Sequence, residues 1–399
     1  MAKTIVILLD GTSNEISANR TNILRLYGTL KKDRSQLVYY DPGVGTFGAD
    51  NAFFGFWRKA TEVLGLITGW GLDQNVLEAY RFLVENYQAG KGGDARDRIV
   101  LIGFSRGAYS ARVLAGFIHA VGLMRRDQIN LLPYAYRAYK RIGDGITDHG
   151  DDSFAEVRLF ERILRTDRPP IMAMGLFDTV SSLIEWGRYR PQLRRHAFTK
   201  TNPSVAAVRH AMALHEARVM FRPQHWPEDQ EFWGNPFTRN KAVPQDVKEV
   251  WFRGVHGDVG GGYPEAESAL AKLPLAWMIR EMEALGLRFI PQTVRSLVHG
   301  QGAGGKYTPP DPEGKIHQSM TVPWKPLEIL PARTDPDYRK GRPSLGPLSI
   351  PFCRPRVVPE GAWIHESVID NAAAQGRPLP PNVPADHRVE RMTIASEAE

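Results

Sequence analysis

The stretch "VLIGFSRGAYSAR", Val100–Arg112, decides how the rest of the chain is read. It sets Ser105 between Gly103 and Gly107, after an apolar run and before an alanine-rich run that suits a helix. In a chain with 37 glycines a Gly-X-Ser-X-Gly pattern settles nothing alone, so its flanks must carry the meaning. A strand that turns sharply into a helix strains the backbone of the residue at the turn. Glycines two positions before and after it let helix and strand pass closely. Ser105 is then expected above the carboxyl end of a sheet. The helix starting at Arg106 directs its first N–H groups at the same point.

Working outward, five apolar runs read as strands: Thr4–Leu9, Leu37–Tyr40, Arg98–Ile102, Ile171–Leu176 and Lys248–Arg253. Most are continuous rather than alternating, as strands covered on both faces require. Between the second and third, "LDQNVLEAYRFLVENY" places Leu72, Val76, Tyr80, Leu83, Val84 and Tyr87 at helical spacing. "RGAYSARVLAGFIHAVGL" does the same with Ala108, Ala111, Leu114 and Ile118. The expected class is α/β: a mainly parallel sheet, right-handed crossovers and helices on both faces.

One domain over residues 1–399 is expected, with three departures from regular alternation. Residues 45–72 hold Phe53, Phe54, Phe56, Trp57 and Trp70 beside Arg58 and Lys59. They read as a helical cap over the sheet, with an interfacial lid as the alternative. Residues 186–246 read as a helical insertion around "PSVAAVRHAMALHEARVM". Residues 300–399, rich in Gly and Pro, read as an irregular C-terminal region.

With 42% hydrophobic and 24% charged residues the chain suits a globular fold, and its one cysteine, Cys353, excludes an internal disulfide framework or a Cys-based zinc cluster. A net charge of +7 favours anionic partners such as a phospholipid surface. The basic residues are scattered and form no nucleic-acid module, so no nucleic-acid partner is expected. "MAKTIVILLDGT" reads as a first strand rather than a signal peptide, and no apolar run is long enough to span a bilayer. The expected location is the cytoplasm on synthesis, with export by a route lacking a cleaved signal left open.

A serine becomes a nucleophile when a histidine takes its proton and an acid holds that histidine in one tautomer. Asp178 in "IMAMGLFDTVSS" follows the fourth strand, and His256 in "EVWFRGVHGDVGGGY" follows the fifth, in a glycine-rich loop. The order Ser105, Asp178, His256 suits the chemistry. His365 in "GAWIHESVID" is the reserve base; His210 and His215 are assigned to the helical insertion. Asp258 is expected to order its loop, with the triad acid or a cation ligand as its other roles. Asp10, Gly11 and Thr12 end the first strand. Gly11 or Thr12 is the expected second oxyanion donor beside Arg106, against a plain Asp-Gly turn. The serine route requires no metal or organic cofactor. Metal-dependent phosphoester hydrolysis through Asp10 and Asp258, and a non-catalytic binding scaffold, are the competing readings.

Taken together, "LLDGTSNE", "YDPGVGTFG", "GFSRGAYSAR", "GLFDTVSS", "RHAMALHEAR", "GVHGDVGGGY" and "IHESVID" give the chain a family resemblance. It resembles the α/β hydrolases once grouped as a domain of unknown function and associated with type VI secretion phospholipase effectors. The resemblance implies an α/β-hydrolase-like fold and a Ser-Asp-His hydrolase of carboxylic esters, with Ser105, Asp178 and His256 at the matching positions. It implies a lipid or phospholipid acyl ester as substrate, with a small-ester carboxylesterase as the alternative. A peripheral membrane surface is a candidate partner; an immunity or secretion partner is compatible with the resemblance and unmarked in the sequence. The chain departs from the family where His215 stands in place of an acidic residue.

Overall fold

The computed structural model describes residues 2–11, 19–43, 71–90, 96–144, 152–180, 184–186, 191–193, 196–234, 239–302, 304–321, 324–330, 332–333, 339, 344–346 and 348–392. Its framework is an eight-stranded sheet of β1 (Thr4–Leu9), β2 (Gln36–Asp41), β3 (Arg98–Phe104), β4 (Ile171–Phe177), β5 (Val205–Ala213), β6 (Asp246–Phe252), β7 (Ala362–His365) and β8 (His387–Glu390). The order is β8-β7-β6-β5-β4-β3-β1-β2. All neighbours are parallel, so every strand ends at the same edge.

Alternation along the strands feeds two cores. Ile5, Ile7 and Leu9 of β1 and Ile99 and Leu101 of β3 pack on one face with α2 (Leu72–Asn86), α3 (Arg106–Val121) and α4 (Leu132–Asp144). Val6, Leu8, Val100 and Ile102 pack on the other with α1 (Asn22–Thr29) and, further along the chain, the long helix Ala269–Ala284. Because both faces are covered, β1, β3 and β4 are apolar along nearly their whole length. This is the mainly parallel, α/β-hydrolase-like architecture expected from the sequence.

Two expectations fail. Residues 205–213, placed in a helical insertion, are β5, the central strand between β4 and β6. Their alanines favour helix in isolation, yet Ala207, Ala211 and Ala213 are needed where the sheet meets the helix carrying Trp277 and Met278. Tertiary packing overrides propensity there. Residues 300–399 are also less irregular than expected: β7 and β8 extend the sheet, and the helix Glu366–Ala374 follows β7. Of the expected cap, 45–70 lies outside the described residues; residue 72 opens α2.

Candidate active site

Ser105 occupies the turn between β3 and α3, with φ 57° and ψ −120°. A non-glycine residue there is strained, and such strain gathers at functional sites. Its N–H is fixed by the Phe177 carbonyl at 2.9 Å. A Cβ on Gly103 would overlap the Gly107 carbonyl, and one on Gly107 would overlap the Leu9 carbonyl oxygen. The two glycines therefore hold α3 against β1 and β3, as the motif requires.

The ends of β4 and β6 bring two more side chains to Ser105. The hydroxyl of Ser105 lies 2.8 Å from His256 Nε2, and His256 Nδ1 lies 2.5 Å from Asp178 Oδ2. With Nδ1–H donating to the carboxylate, Nε2 is left to accept the serine proton. His256 is not in an open loop; it is the first residue of the short helix His256–Gly260. Its ring is held between Phe104 and Phe221, each with its centroid 4.8 Å away. Phe104 in turn needs Gly260, where a side chain would collide with its ring.

Asp178 is fully buried and itself strained at φ 42°. Its N–H donates to Ala211 O at 2.7 Å, and its Oδ1 accepts the Ala213 N–H at 2.9 Å, so β5 holds both its backbone and its carboxylate. Burial works to raise its pKa. The charge of Arg356 and the hydrogen bond from His256 outweigh this and keep the carboxyl well below the usual range. Burial lowers the pKa of the His256 imidazole, opposed by the hydrogen bond and charge of Asp178.

Sequence reasoning missed three supports of this arrangement. Arg356 meets both oxygens of Asp178, at 2.5 and 2.9 Å. Glu216, fully buried in its side chain, accepts the backbone N–H of His256 at 3.2 Å and pairs with Arg218. Burial acts to raise the Glu216 pKa, but Arg218 draws it down to about 2. His210 of β5 accepts the N–H of Thr179, next to Asp178, at 3.1 Å and donates to Glu249 at 2.7 Å. The pair His210 and Glu216 stood in the quoted "RHAMALHEAR", where the helical reading hid their common edge. Arg356 carried no local signal.

The remaining candidates divide. Asp258 orders its surroundings: Oδ2 accepts the N–H of Val255 at 2.9 Å, and Oδ1 lies 2.5 Å from His317 Nδ1. His365 does end a strand, contrary to expectation. Its ring stacks on Phe252 and its Nδ1 meets Ser367, while burial, then the charge of Arg280, pushes its pKa down to about 3. Asp10 binds Thr21 at 2.5 Å and Tyr40 at 3.0 Å. The N–H of Gly11, an expected oxyanion donor, is instead taken by Asp10 Oδ1 at 2.7 Å. Thr12 lies outside the described residues. At the start of α3 a small cleft is lined by Asp10, Gly43, Leu72, Asn75, Arg106, Gly107 and Ser110; Ser105 is not among its lining residues. Among the described residues no group of three or more His, Cys, Asp or Glu is arranged to hold a metal ion, and no helix is long and apolar enough to cross a membrane.

Comparison with known proteins places this geometry in context. Residues 3–281 match the family model described as T6SS, phospholipase effector Tle1-like, catalytic domain. The uncharacterized protein YEL023C of Saccharomyces cerevisiae is 33% identical over 230 residues, covering 55% of this chain and 32% of that protein. The chain thus spans about a third of the length of that curated relative. An uncharacterized protein from Pseudomonas aeruginosa aligns in structure with 19% identity and a TM-score of 0.42, covering 73% of this chain and 47% of the other. A Tle1 effector solved bound to the VgrG spike of the type 6 secretion system aligns with 19% identity and a TM-score of 0.34, covering 67% and 53%.

Proposed function

Because the chain belongs to the family of T6SS Tle1-like phospholipase effector catalytic domains, we propose that it hydrolyses acyl esters of lipids through a Ser105–His256–Asp178 triad. The observation that carries this reading is the hydrogen-bonded line from Ser105 Oγ through both ring nitrogens of His256 to Asp178 Oδ2, at 2.8 and 2.5 Å.

His256 Nε2 takes the Ser105 proton as Oγ attacks the ester carbonyl, and Asp178 stabilises the imidazolium that forms. Negative charge develops on the former carbonyl oxygen. The backbone N–H of Arg106, the residue after the nucleophile at the first position of α3, is the donor assigned to it. The imidazolium then returns its proton to the leaving alkoxide, releasing the alcohol and leaving an acyl-enzyme on Ser105. Water, deprotonated by His256, attacks that acyl group and frees the carboxylic acid.

Hydrolysis of phosphatidylglycerol and phosphatidylethanolamine vesicles by wild type and Ser105→Ala tests the reading. Release of fatty acid by the wild type alone supports it. Equal release by both proteins sinks the serine mechanism, and release only from short water-soluble esters sinks the lipid assignment.

A further inference from the structure

We propose that Arg356 is a positioning residue of this site: its guanidinium grips both oxygens of Asp178, fixing the carboxylate that orients His256. The inference rests on the triad reading above. It concerns a residue that lies outside the family match, which ends at residue 281.

The contact is a fork on a fork. Nη1 meets Oδ1 at 2.5 Å and Nη2 meets Oδ2 at 2.9 Å, so Oδ2 receives both the guanidinium and the His256 Nδ1–H. Two further bonds, to the carbonyl oxygens of Ala213 and Phe221, seat the same guanidinium at the end of β5 and behind the ring that packs on His256. Asn382 pins the segment by donating to the carbonyls of Arg356 and Leu214, at 3.2 and 2.9 Å. The Arg356 side chain is only 4% exposed. Planar bidentate pairing sets direction as well as charge, which a single ammonium does not reproduce.

The consequence is chemical. A carboxylate that shares its charge with a guanidinium stabilises an imidazolium less, yet it does not take up a proton in its buried place. Without the cation, either Asp178 protonates or His256 grows more basic; both raise the apparent titration of the coupled pair. The other groups facing the pair are Glu216 and Arg218 after β5, His210 on β5 with Glu249 behind it, Arg112 on Thr179, and Ser105. Of these, Glu216 also feels the charge of Arg356, but Arg218 is the larger influence holding its carboxyl down, so a moved acid limb of the His256–Asp178 pair reports the guanidinium.

The test compares wild type, Arg356→Met and Arg356→Lys on p-nitrophenyl butyrate, with circular dichroism melts to establish folding. Arg356→Met should lose at least about 100-fold in kcat at nearly unchanged KM, and the acid limb of its kcat/KM profile should move up by about one pH unit or more. Arg356→Lys should return the limb to near its wild-type position with kcat still about 10-fold low. A folded Arg356→Met with an unmoved limb overturns the proposal, as does Arg356→Lys with wild-type kcat. If Arg356→Met does not fold, the lysine variant decides by the same criterion. Wild-type turnover by Ser105→Ala would instead strike the triad reading, so the two failures are distinguishable.

Discussion

Gly107 lies so close to the carbonyl oxygen of Leu9 that a Cβ at position 107 would overlap it. The turn that lifts Ser105 therefore depends on a missing side chain one strand away. Gly107→Ala must displace α3 from β1, at a cost of about 1–3 kcal/mol in stability. Because Ser105 moves with the helix, kcat should fall further than the lost stability accounts for. Gly28→Ala is the control: its added Cβ would meet only Leu297 Cδ1 at 3.7 Å within α1, so stability should hold or rise by about 0.5–1 kcal/mol. Urea unfolding of both variants, paired with ester turnover, checks the contrast.

The pH profile follows from His256, which accepts a proton only while neutral. Its pKa is lowered from 6.5, first by burial, so the acid limb of kcat/KM belongs below pH 6.5. Activity should persist at pH 6.5 and fall as the pH drops through the lowered value. A stopped assay across pH 4–8 at constant ionic strength measures it; a limb centred above 6.5 contradicts this account of the site.

Glu216 gives a separate, thermodynamic prediction. Its folded pKa, about 2, lies below the ordinary 4.5, so its ionised form favours the folded state. That contribution is complete above pH 4.5 and is lost as the pH falls toward 2. The shift corresponds to about 3 kcal/mol at most. Between pH 4.5 and 2 the stability of Glu216→Gln should decline less steeply than that of the wild type. Unfolding free energies at half-unit pH intervals provide the measurement.

How much was legible in the sequence follows from which forces act locally. Ser105 and its glycines were readable because a strand, a sharp turn and a helix are written in consecutive residues, and Asp178 and His256 because each directly follows an apolar strand. β5 was not readable: "VAAVRHAMA" has helix-favouring alanines, and its buried His210 and Arg209 look out of place in a strand until Glu249, Glu281 and Asp246 are seen to meet them. β7 and β8 are four residues each, too short to show a period. Arg356 reaches Asp178 across 178 positions of chain, and no spacing rule joins them. The Gly11 N–H was misassigned because an Asp-Gly pair can turn the amide toward its own carboxylate as readily as toward a ligand.

The central claim is that Ser105 acts as the nucleophile. Labelling the folded protein with a fluorophosphonate, followed by peptide mass mapping, tests it most directly. The account predicts one covalent adduct on Ser105, with loss of lipid hydrolysis in proportion to labelling and no adduct in Ser105→Ala. Full hydrolysis by protein labelled stoichiometrically at Ser105, or an adduct elsewhere that tracks the loss of activity, would contradict it.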